Sequence, residues 1–424
     1  KYRFFDHNTK MDLEDLPTTW GGYDKFPVRS KYFANFGKPI VAMSGKFHKS
    51  WGEFGGFKNK DAIWYESAAM VSFGAAVNFG DQLHPSGEME MATYENIGYA
   101  YEYIKKIESL GVGAQHKASL GLWLPSSEGG QHGTTKMLLE NQVNFVVANN
   151  LKDWSDLKTI VIPGACHLSE RDIQKLEQFH ADGGKMILIG KAGLDEGKGK
   201  FIFDIGADYM GDASADIDYT VVGETLSANL FAAPFLNYIP ALKVKPHDGT
   251  EVLAALREPY FNRTLRHYSS HKNTPFKLSD ADHPAVIRKG NIAYIASDLA
   301  EMYHSSGAKV HRDLFNNVLD LMHDSRMLRV DLPSSGRVNL LFQPEDSRYV
   351  AHLLYATPIS RGDAEVIEDL VPIFDTRVIL NVPETIKSVR LVPGKKDLNI
   401  TKTGTGISVI VPEFKCHTAV VFEY

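Results

Sequence analysis

The spacing of apolar residues changes near residue 326, and this change limits the folds open to the chain. Before it, short apolar runs alternate with stretches in which apolar residues recur every third or fourth position, as strands alternate with helices. After it, helical spacing is absent and short runs are separated by Pro, Gly and Asp. The pattern predicts a multidomain α/β protein that ends in a small antiparallel β-sandwich at residues 326–424.

Residues 1–117 contain two predicted strand–helix pairs. The predicted strands are Pro39 to Met43 and Ala75 to Phe79, and the predicted helices are Ala62 to Phe73 and Ala92 to Ile107. Two such pairs are too few to close a barrel. We therefore expect this block to be the end of a larger domain whose beginning lies outside the chain.

Residues 118–325 predict a doubly wound α/β domain. Four short apolar segments have the composition of strands buried on both faces of a parallel sheet: Leu120 to Leu124, Asn144 to Ala148, Thr159 to Pro163 and Met186 to Gly190. Ser169 is a predicted N-cap for a helix with acidic residues in its first turn, and Gly183 with Gly184 ends that helix.

Length and charge exclude several classes of protein. At 424 residues the chain predicts two or three domains, and its net charge of −6 offers no basic field for nucleic acid. It lacks an apolar run of about 18 residues, so no membrane span is predicted. Cys166 and Cys416 are too few for a disulfide framework. We expect a soluble protein, and both the cytoplasm and a secreted or periplasmic bacterial location stay open.

The two predicted strands of the first block are each followed by a loop rich in polar and aromatic residues. The first loop reads S-G-K-F-H-K-S-W-G-E-F-G-G from Ser44, and the second reads F-G-D-Q-L-H-P-S-G-E from Phe79. Barrel enzymes assemble their active sites at the carboxyl ends of strands. A mixture of imidazole, carboxylate and aromatic side chains suits a sugar, so we predict a carbohydrate enzyme.

These loops resemble those of α-L-fucosidases, particularly of glycoside hydrolase family 151 and more distantly of family 29. The residues that carry the resemblance are Ser50-Trp51-Gly52, Asn78-Phe79-Gly80, Pro85-Ser86-Gly87 and Ile97-Gly98. Ser44 stands where family 151 loops have Thr. The resemblance implies that residues 1–117 are the C-terminal portion of a catalytic (β/α)8 barrel.

The other two blocks resemble parts of β-galactosidases of family 42. Thr159 to Gly164, the helix after it and Lys185 to Gly190 resemble their trimerisation domain, which has an amidotransferase-like fold. Glu368 to Pro372 resembles a piece of their small β domain. The resemblance implies a homo-oligomer, a trimer or a related assembly, with scaffold domains that say little about substrate.

The fucosidase resemblance also implies roles for single residues. A retaining glycosidase needs a nucleophilic carboxylate and an acid/base about 5 Å apart, and the nucleophile is expected upstream of residue 1. Glu14 is the candidate acid/base, Glu53 is the second choice, and the alternative for Glu14 is a solvated acidic run. The predicted substrate-binding residues are Trp20, His48, Trp51, Asp81, Gln82 and His84.

Asp81, Gln82 and His84 have a structural alternative to sugar binding. They have the composition of residues that hold a loop through bonds to its backbone. The spacing of His48, Glu53, Asp81 and His84 matches no metal-binding helix, and we expect no metal and no organic cofactor. The turn Gly190-Lys191-Ala192-Gly193 lacks the cysteine of an active amidotransferase, and Cys166-His167 is interpreted as incidental.

The sequence thus predicts a retaining α-L-fucosidase that acts on a terminal fucose of a small carbohydrate. A β-galactosidase or arabinosidase on the same scaffold is the alternative enzyme. A sugar-binding or structural protein without catalysis is the alternative of another class.

Overall fold

A computed structural model of the chain describes residues 5–125, 132–164 and 166–424. It is a multidomain α/β structure that divides into two compact units. The first unit takes the chain up to Ala118 together with Leu138–Val147 and Arg326–Tyr424, and the second takes Ser119–Met137 and Ala148–Ser325. The finer division into domains 1–117, 118–325 and 326–424 stays a prediction.

Strands and helices alternate in the first part of the chain. They are β1 (Met11–Glu14), α1 (Lys25–Ala34), β2 (Ile40–Gly45), α2 (Lys60–Ser72), β3 (Ala76–Gly80), α3 (Met91–Ile104) and β4 (Gln115–His116), with a 3-10 turn at Glu108–Leu110. The first three strands form a parallel sheet in the order β1-β2-β3. Asn59 caps α2, because its side chain accepts bonds from the backbone of Asp61 and Ala62.

The middle of the chain forms many short elements. The helices are α4 (His132–Glu140), α5 (Glu170–Ala181), α6 (Leu299–Ser306) and α7 (Lys309–Met322). The strands are β5 (Leu120–Trp123), β6 (Val146–Ala148), β7 (Thr159–Ile162), β8 (Lys185–Ile189), β9 (Leu194–Asp195), β10 (Lys200–Phe201), β11 (Ala207–Gly211), β12 (Asp218–Val222), β13 (Phe235–Asn237), β14 (Lys243–Pro246), β15 (Glu251–Arg257), β16 (Val286–Lys289) and β17 (Ile292–Ile295), with a 3-10 turn at Glu224–Leu226.

The large sheet of the second unit is mixed. Strands β17, β8, β7 and β5 are parallel neighbours, and their residues are almost all buried, as predicted for strands covered on both faces. Strands β13, β12, β15 and β16 extend the sheet beyond β17 with antiparallel pairing. This extension is not predicted from the sequence.

The last part of the chain consists of strands. They are β18 (Leu328–Val330), β19 (Gly336–Gln343), β20 (Arg348–Tyr355), β21 (Ile359–Arg361), β22 (Ala364–Val366), β23 (Pro372–Leu380), β24 (Ser388–Val392), β25 (Lys396–Asp397), β26 (Thr401–Lys402), β27 (Ile407–Lys415) and β28 (His417–Glu423), with a 3-10 turn at Pro344–Asp346. They form a four-stranded sheet, β18-β23-β27-β26, and most of a six-stranded sheet, β25-β24-β28-β20-β19-β4.

The six-stranded sheet buries both of its faces within the first unit. On β28, Val420 and Phe422 belong to a core that includes Val378 and Val409 of the four-stranded sheet. The alternate residue Val421 belongs to a second core with Val71 of α2 and others near α3. Because successive strand residues point to opposite faces, a strand buried on both sides is apolar throughout, as this one is.

No helix within the described residues is both long and apolar enough to cross a bilayer.

Candidate active site

The carboxyl ends of β1, β2 and β3 meet at one edge of the parallel sheet. Glu14 pairs in register with Met43, and Met43 pairs with Asn78. Residues opposite one another on neighbouring strands point to the same side. Glu14 is exposed, on the face opposite to that of the buried Leu13 and Ala42.

All of the predicted site residues are brought to this edge. Glu14 ends β1, and the other predicted residues lie on the three loops that follow these strands: Trp20 after β1, His48, Trp51 and Glu53 after β2, and Asp81, Gln82 and His84 after β3. The structure thus collects them as the barrel pattern predicts, while their individual roles stay predictions.

The indole of Trp51 covers the ends of two strands. A Cβ at Gly80 would lie 2.4 Å from Cζ3 of the ring, and a Cβ at Gly45 would lie 3.0 Å from the same atom. The ring centroid of Trp20 lies 6.2 Å away and that of Phe47 lies 5.3 Å away. Glycine on both strands therefore makes room for a half-buried aromatic floor.

Two aromatic side chains beside this floor are open to solvent. Trp20 is 39% exposed and Phe54 is 57% exposed. Phe54 meets His84 edge to face, with ring centroids 5.8 Å apart, which joins the loop after β2 to the loop after β3. Exposed rings of this kind are suited to stacking on the apolar face of a sugar. Phe54 is not among the site residues predicted from the sequence.

Two buried polar atoms in the loops after β2 and β3 lack a hydrogen-bond partner among the described residues. They are the Nε1 donor of Trp51 and the Oε1 acceptor of Gln82. Buried polar groups are nearly always satisfied, so each such atom requires an explanation. A hydroxyl group, which both donates and accepts, would satisfy either of them.

A buried cation joins the loop after β3 to the end of β2. The Lys46 ammonium lies 2.9 Å from Oε2 of Glu90 and 3.8 Å from Oδ1 of Asp81. It also lies 4.4 Å from the ring centroid of Phe57, a cation–π contact. The Lys46 side chain is only 2% exposed. The sequence offers no sign of this role, because its partners are distant along the chain.

The environment of Glu53 stabilises its ionised form. Its Oε2 accepts a bond of 2.8 Å from the backbone N–H of Lys49. This bond, with smaller contributions from Ser50 and His48, lowers the pKa of Glu53 below its usual value. A general acid must instead hold its proton near neutral pH. The shift therefore disfavours Glu53 as the candidate proton donor.

The polar residues after β3 also hold their own loop. Oδ1 of Asp81 accepts from the backbone N–H of Gln82 at 2.8 Å, and Nε2 of Gln82 donates to the Glu53 carbonyl at 3.3 Å. The Ser86 N–H donates to Nδ1 of His84 at 3.1 Å, so the His84 proton resides on Nε2 in the neutral ring. These are the bonds that the structural alternative predicts, and they leave Nε2 of His84 available to a ligand.

A buried ion pair links the two ends of the loop after β2, through Ser44 on β2 and Glu66 on helix α2. Nζ of Lys58 lies 2.8 Å from Oε2 of Glu66 and donates to Oγ of Ser44 at 2.9 Å. Ser44 in turn donates to the same carboxylate oxygen at 2.5 Å. Both charged side chains are 1% exposed. Ser44 is thus a structural residue whose hydroxyl, which the Thr of the related loops also has, links strand β2 to helix α2.

Neither a metal centre nor an amidotransferase nucleophile occurs in the described part of the chain. No group of three or more His, Cys, Asp and Glu residues there could hold a metal ion. Burial raises the pKa of the Cys166 thiol to about 11, which disfavours the reactive thiolate. The turn after β8, Gly190 to Gly193, contains the fully buried Ala192 and no cysteine that could act as the nucleophile.

The chain is similar over its whole length to solved glycosidase structures. α-L-Fucosidase isoenzyme 2 from Paenibacillus thiaminolyticus aligns with 100% of this chain at 32% identity and a TM-score of 0.93. A GH42 β-galactosidase from G. stearothermophilus aligns with 99% of it at 13% identity and a TM-score of 0.64, and a β-galactosidase from Bacillus circulans sp. alkalophilus aligns with 97% at 10% identity and a TM-score of 0.64.

The resemblance to α-L-fucosidases and to family 42 β-galactosidases, predicted from the loops and the scaffold, is therefore confirmed. The β-galactosidases share the fold only, because their identity is low. The chain spans 66% of the length of the fucosidase and 60% of the length of the β-galactosidases. No protein-family model and no curated protein matches the chain.

Proposed function

We propose that this chain is part of a retaining α-L-fucosidase that releases a terminal fucose from a small carbohydrate. The observation that carries the proposal is the similarity along all 424 residues to an α-L-fucosidase, at 32% identity. The loops after β1, β2 and β3 support it, because they bring exposed aromatic rings and unsatisfied buried polar atoms to one edge of a parallel sheet.

The finer architecture follows from the same proposal. The β1-β2-β3 sheet is the C-terminal portion of a (β/α)8 barrel, and its exposed face, which carries Glu14, corresponds to the barrel interior. The second unit is an amidotransferase-like domain of the trimerisation type. The four- and six-stranded sheets, which share one core, form the β-sandwich.

The proposed roles in sugar binding and proton transfer are distributed over the loops after β1, β2 and β3 and the end of β1. Trp51 and Trp20 form the floor and side on which the sugar stacks, and Gln82, Asp81, His84 and His48 bind its hydroxyl groups. Glu14 donates a proton to the departing oxygen and then accepts one from water. The attacking carboxylate comes from the part of the enzyme that precedes residue 1, and no metal or organic cofactor takes part.

A β-galactosidase or arabinosidase on the same scaffold is the second candidate, and the GH42 enzymes share that scaffold. A sugar-binding or structural protein is the candidate of a different class, because the span of 66% leaves the nucleophile unassigned within this chain. We propose a homo-oligomer, a trimer or a related assembly, on the resemblance of the second unit to trimerisation domains.

The test is hydrolysis by the full-length natural protein of the nitrophenyl α-L-fucoside, β-galactoside and α-L-arabinoside. We expect the fucoside alone to be cleaved efficiently, and proton NMR of the first product to show the α-anomer, as retention requires. Efficient cleavage of the galactoside or arabinoside alone would support the second candidate. Saturable fucose binding without any turnover would support the third.

A further inference from the structure

A short hairpin from the last part of the chain lies beside the candidate site. Strands β21 and β22 pair with Ile359 opposite Val366 and Arg361 opposite Ala364. Gly362, at a φ of +60°, and Asp363 connect the two strands. We call this segment the 359–366 hairpin. It belongs to the same compact unit as the β1-β2-β3 sheet.

The base of the 359–366 hairpin is fixed to the loop after β1. The backbone N–H of Glu365 donates to the Thr18 carbonyl at 2.8 Å. The Glu365 carboxylate lies against Gly22, where a Cβ would be 2.8 Å from Oε2. Gly22 therefore provides the space that the hairpin occupies.

The chain just after the hairpin is fixed to the loop after β2. Nδ2 of Asn59 donates to the Ile367 carbonyl at 2.7 Å, and Ile367 is only 1% exposed. The hairpin is thus anchored to both loops that carry the predicted stacking residues Trp20 and Trp51.

The tip of the hairpin reaches the residue next to His48. Oδ2 of Asp363 lies 2.8 Å from Nζ of Lys49. The hydrogen bond and charge of Lys49 lower the pKa of Asp363, and the charge of His48 contributes as well. The Lys49 carbonyl accepts from Oγ1 of Thr19 at 2.8 Å, which links the loop after β2 to the loop after β1.

The outer surface of the hairpin carries groups that could contact a carbohydrate. The Asp363 side chain is 71% exposed, and Ile359 is 44% exposed. The Arg361 guanidinium binds both carboxylate oxygens of Glu368, at 2.6 and 2.7 Å, in a pair that is also open to solvent. Exposed ion pairs contribute little to stability, so these side chains can be changed without unfolding the protein.

We infer that the 359–366 hairpin forms the outer wall of the sugar site and binds the saccharide to which the terminal sugar is attached. This inference rests on the proposed function. The terminal sugar occupies the strand ends beside Trp51 and Gln82, and the rest of the glycan leaves past His48, where it meets Asp363. The carboxylate of Asp363 and the guanidinium of Arg361 then bind hydroxyl groups of a neutral leaving-group saccharide.

The first test compares two substrates in the full-length protein. Asp363→Ala should lower kcat/KM on a fucosyl disaccharide about fivefold, as the loss of one hydrogen bond does, and change it less than about twofold on the nitrophenyl fucoside, which lacks the second sugar. Asp363→Asn should retain most of the activity on the disaccharide. The matched control is Asp331→Ala, which removes another exposed carboxylate paired with an arginine at 2.9 Å. Equal changes on both substrates, or no change on either, would overturn the inference.

The second test separates this inference from the proposed function. Calorimetric titration with fucose and with a thio-linked fucosyl disaccharide, which resists hydrolysis, measures binding whether or not the protein is a catalyst. The disaccharide should bind more tightly than fucose, and Asp363→Ala should remove the difference. If this binding pattern is found without hydrolysis, the proposed enzyme activity alone is overturned. If the protein hydrolyses the fucoside but Asp363→Ala binds the disaccharide as tightly as before, the role of the hairpin alone is overturned. If neither binding nor hydrolysis is found, both are overturned.

Discussion

The indole of Trp51 lies against Gly80 so closely that a Cβ there would be 2.4 Å from the ring. Gly80→Ala should therefore displace the indole from the strand ends, because the added methyl group would overlap the ring. The ring also packs closely on Gly45 of the neighbouring strand, which leaves it little room to shift in that direction. We expect a loss of about 1–3 kcal/mol in the free energy of unfolding, the usual cost of overpacking. We also expect fucose binding to weaken at least about tenfold. Urea unfolding and calorimetric titration measure the two effects.

The control for this substitution is Gly98→Ala, since nothing lies within 4 Å of the added Cβ on helix α3. An alanine there should raise stability by about 0.5–1 kcal/mol, because glycine disfavours a helix interior. Gly80→Ala with unchanged binding would show that Trp51 is not part of the sugar site.

Lys46→Met should release the loop after β3. The substitution keeps the apolar stem but removes the charge that holds Glu90 at 2.9 Å and Asp81 at 3.8 Å. Because Glu90 is 47% exposed, solvent screens much of this attraction, and we expect only about 1 kcal/mol of lost stability. The larger effect should be a rise in KM of about fivefold with kcat nearly constant, since Asp81 and Gln82 lose a fixed position.

Steady-state kinetics on the nitrophenyl fucoside measure that KM, with Lys105→Met as the matched control. Lys105 pairs with Glu102 on the solvent side of α3, where both side chains are more than half exposed. Its replacement should leave both constants unchanged. A Lys46→Met protein with an unaltered KM would exclude a positioning role for this cation.

Local signals in the sequence predicted much of the fold correctly. The Ser169 cap is confirmed, because a capping box depends only on Ser169 and Asp172, three positions apart, and both of its bonds are present. Strands such as β5 and β7 were predicted for a similar reason, since burial on both faces leaves a continuous apolar run. The loops after β2 and β3 lie at one edge of a sheet because parallel strands end together, whereas strand β1, which ends at Glu14, is not predicted from the sequence.

Features that depend on distant pairs were missed. Strand β12 joins the sheet by pairing with β15, although β13 and β14 lie between them in the chain, and no short window of sequence contains both paired strands. Lys46 is two positions from His48 in sequence but pairs with Glu90, and Gly80 matters only because the Trp51 ring packs against it. The contact between Asp363 and Lys49 joins residues of the last and first parts of the chain, which no local pattern relates.

Lys58→Met should be among the most damaging substitutions in the first unit. It leaves the Glu66 carboxylate, 1% exposed, without its counter-ion in the protein interior. Removing one partner of a buried pair typically costs about 3–5 kcal/mol. The double variant Lys58→Met with Glu66→Leu should regain most of that loss, because no uncompensated charge remains. Urea unfolding of both variants measures the difference, and a double variant no more stable than the single one would contradict this account.

The buried pair His352 and His417 should make the first unit sensitive to acid. Nδ1 of His352 lies 2.9 Å from Nε2 of His417, and Nε2 of His352 lies 3.2 Å from the Leu110 carbonyl. Since the carbonyl can only accept, His352 carries its proton on Nε2 and accepts at Nδ1 from His417. A second proton on His352 would lie on Nδ1 and face the N–H group of His417. The other nitrogen of His417, Nδ1, lies 2.8 Å from the Tyr103 hydroxyl, so burial and the neighbouring His352 are what disfavour a second proton on that ring.

Burial lowers the pKa of His352 from 6.5 to about 4 and lowers that of His417 well below its usual value. Between about pH 6.5 and about pH 4 the unfolded chain thus binds more protons than the folded protein. The contribution of the buried histidines to stability is therefore complete above about pH 6.5 and is lost as the pH falls towards 4. For His352 alone the loss approaches about 3 kcal/mol. Asp218, whose pKa burial raises to about 6, acts in the opposite direction, so the test must compare variants rather than a single curve.

Urea unfolding from about pH 7.5 to about pH 4.5 checks this prediction in three proteins. The unmodified chain should lose stability as the pH falls below 6.5, the ordinary histidine pKa. His352→Gln should be less stable at neutral pH but should depend less steeply on pH, because one of the two titrating rings is gone. His271→Gln, which alters an exposed histidine, should reproduce the unmodified curve. If His352→Gln retains the full slope, then carboxyl groups and not this pair govern the acid sensitivity.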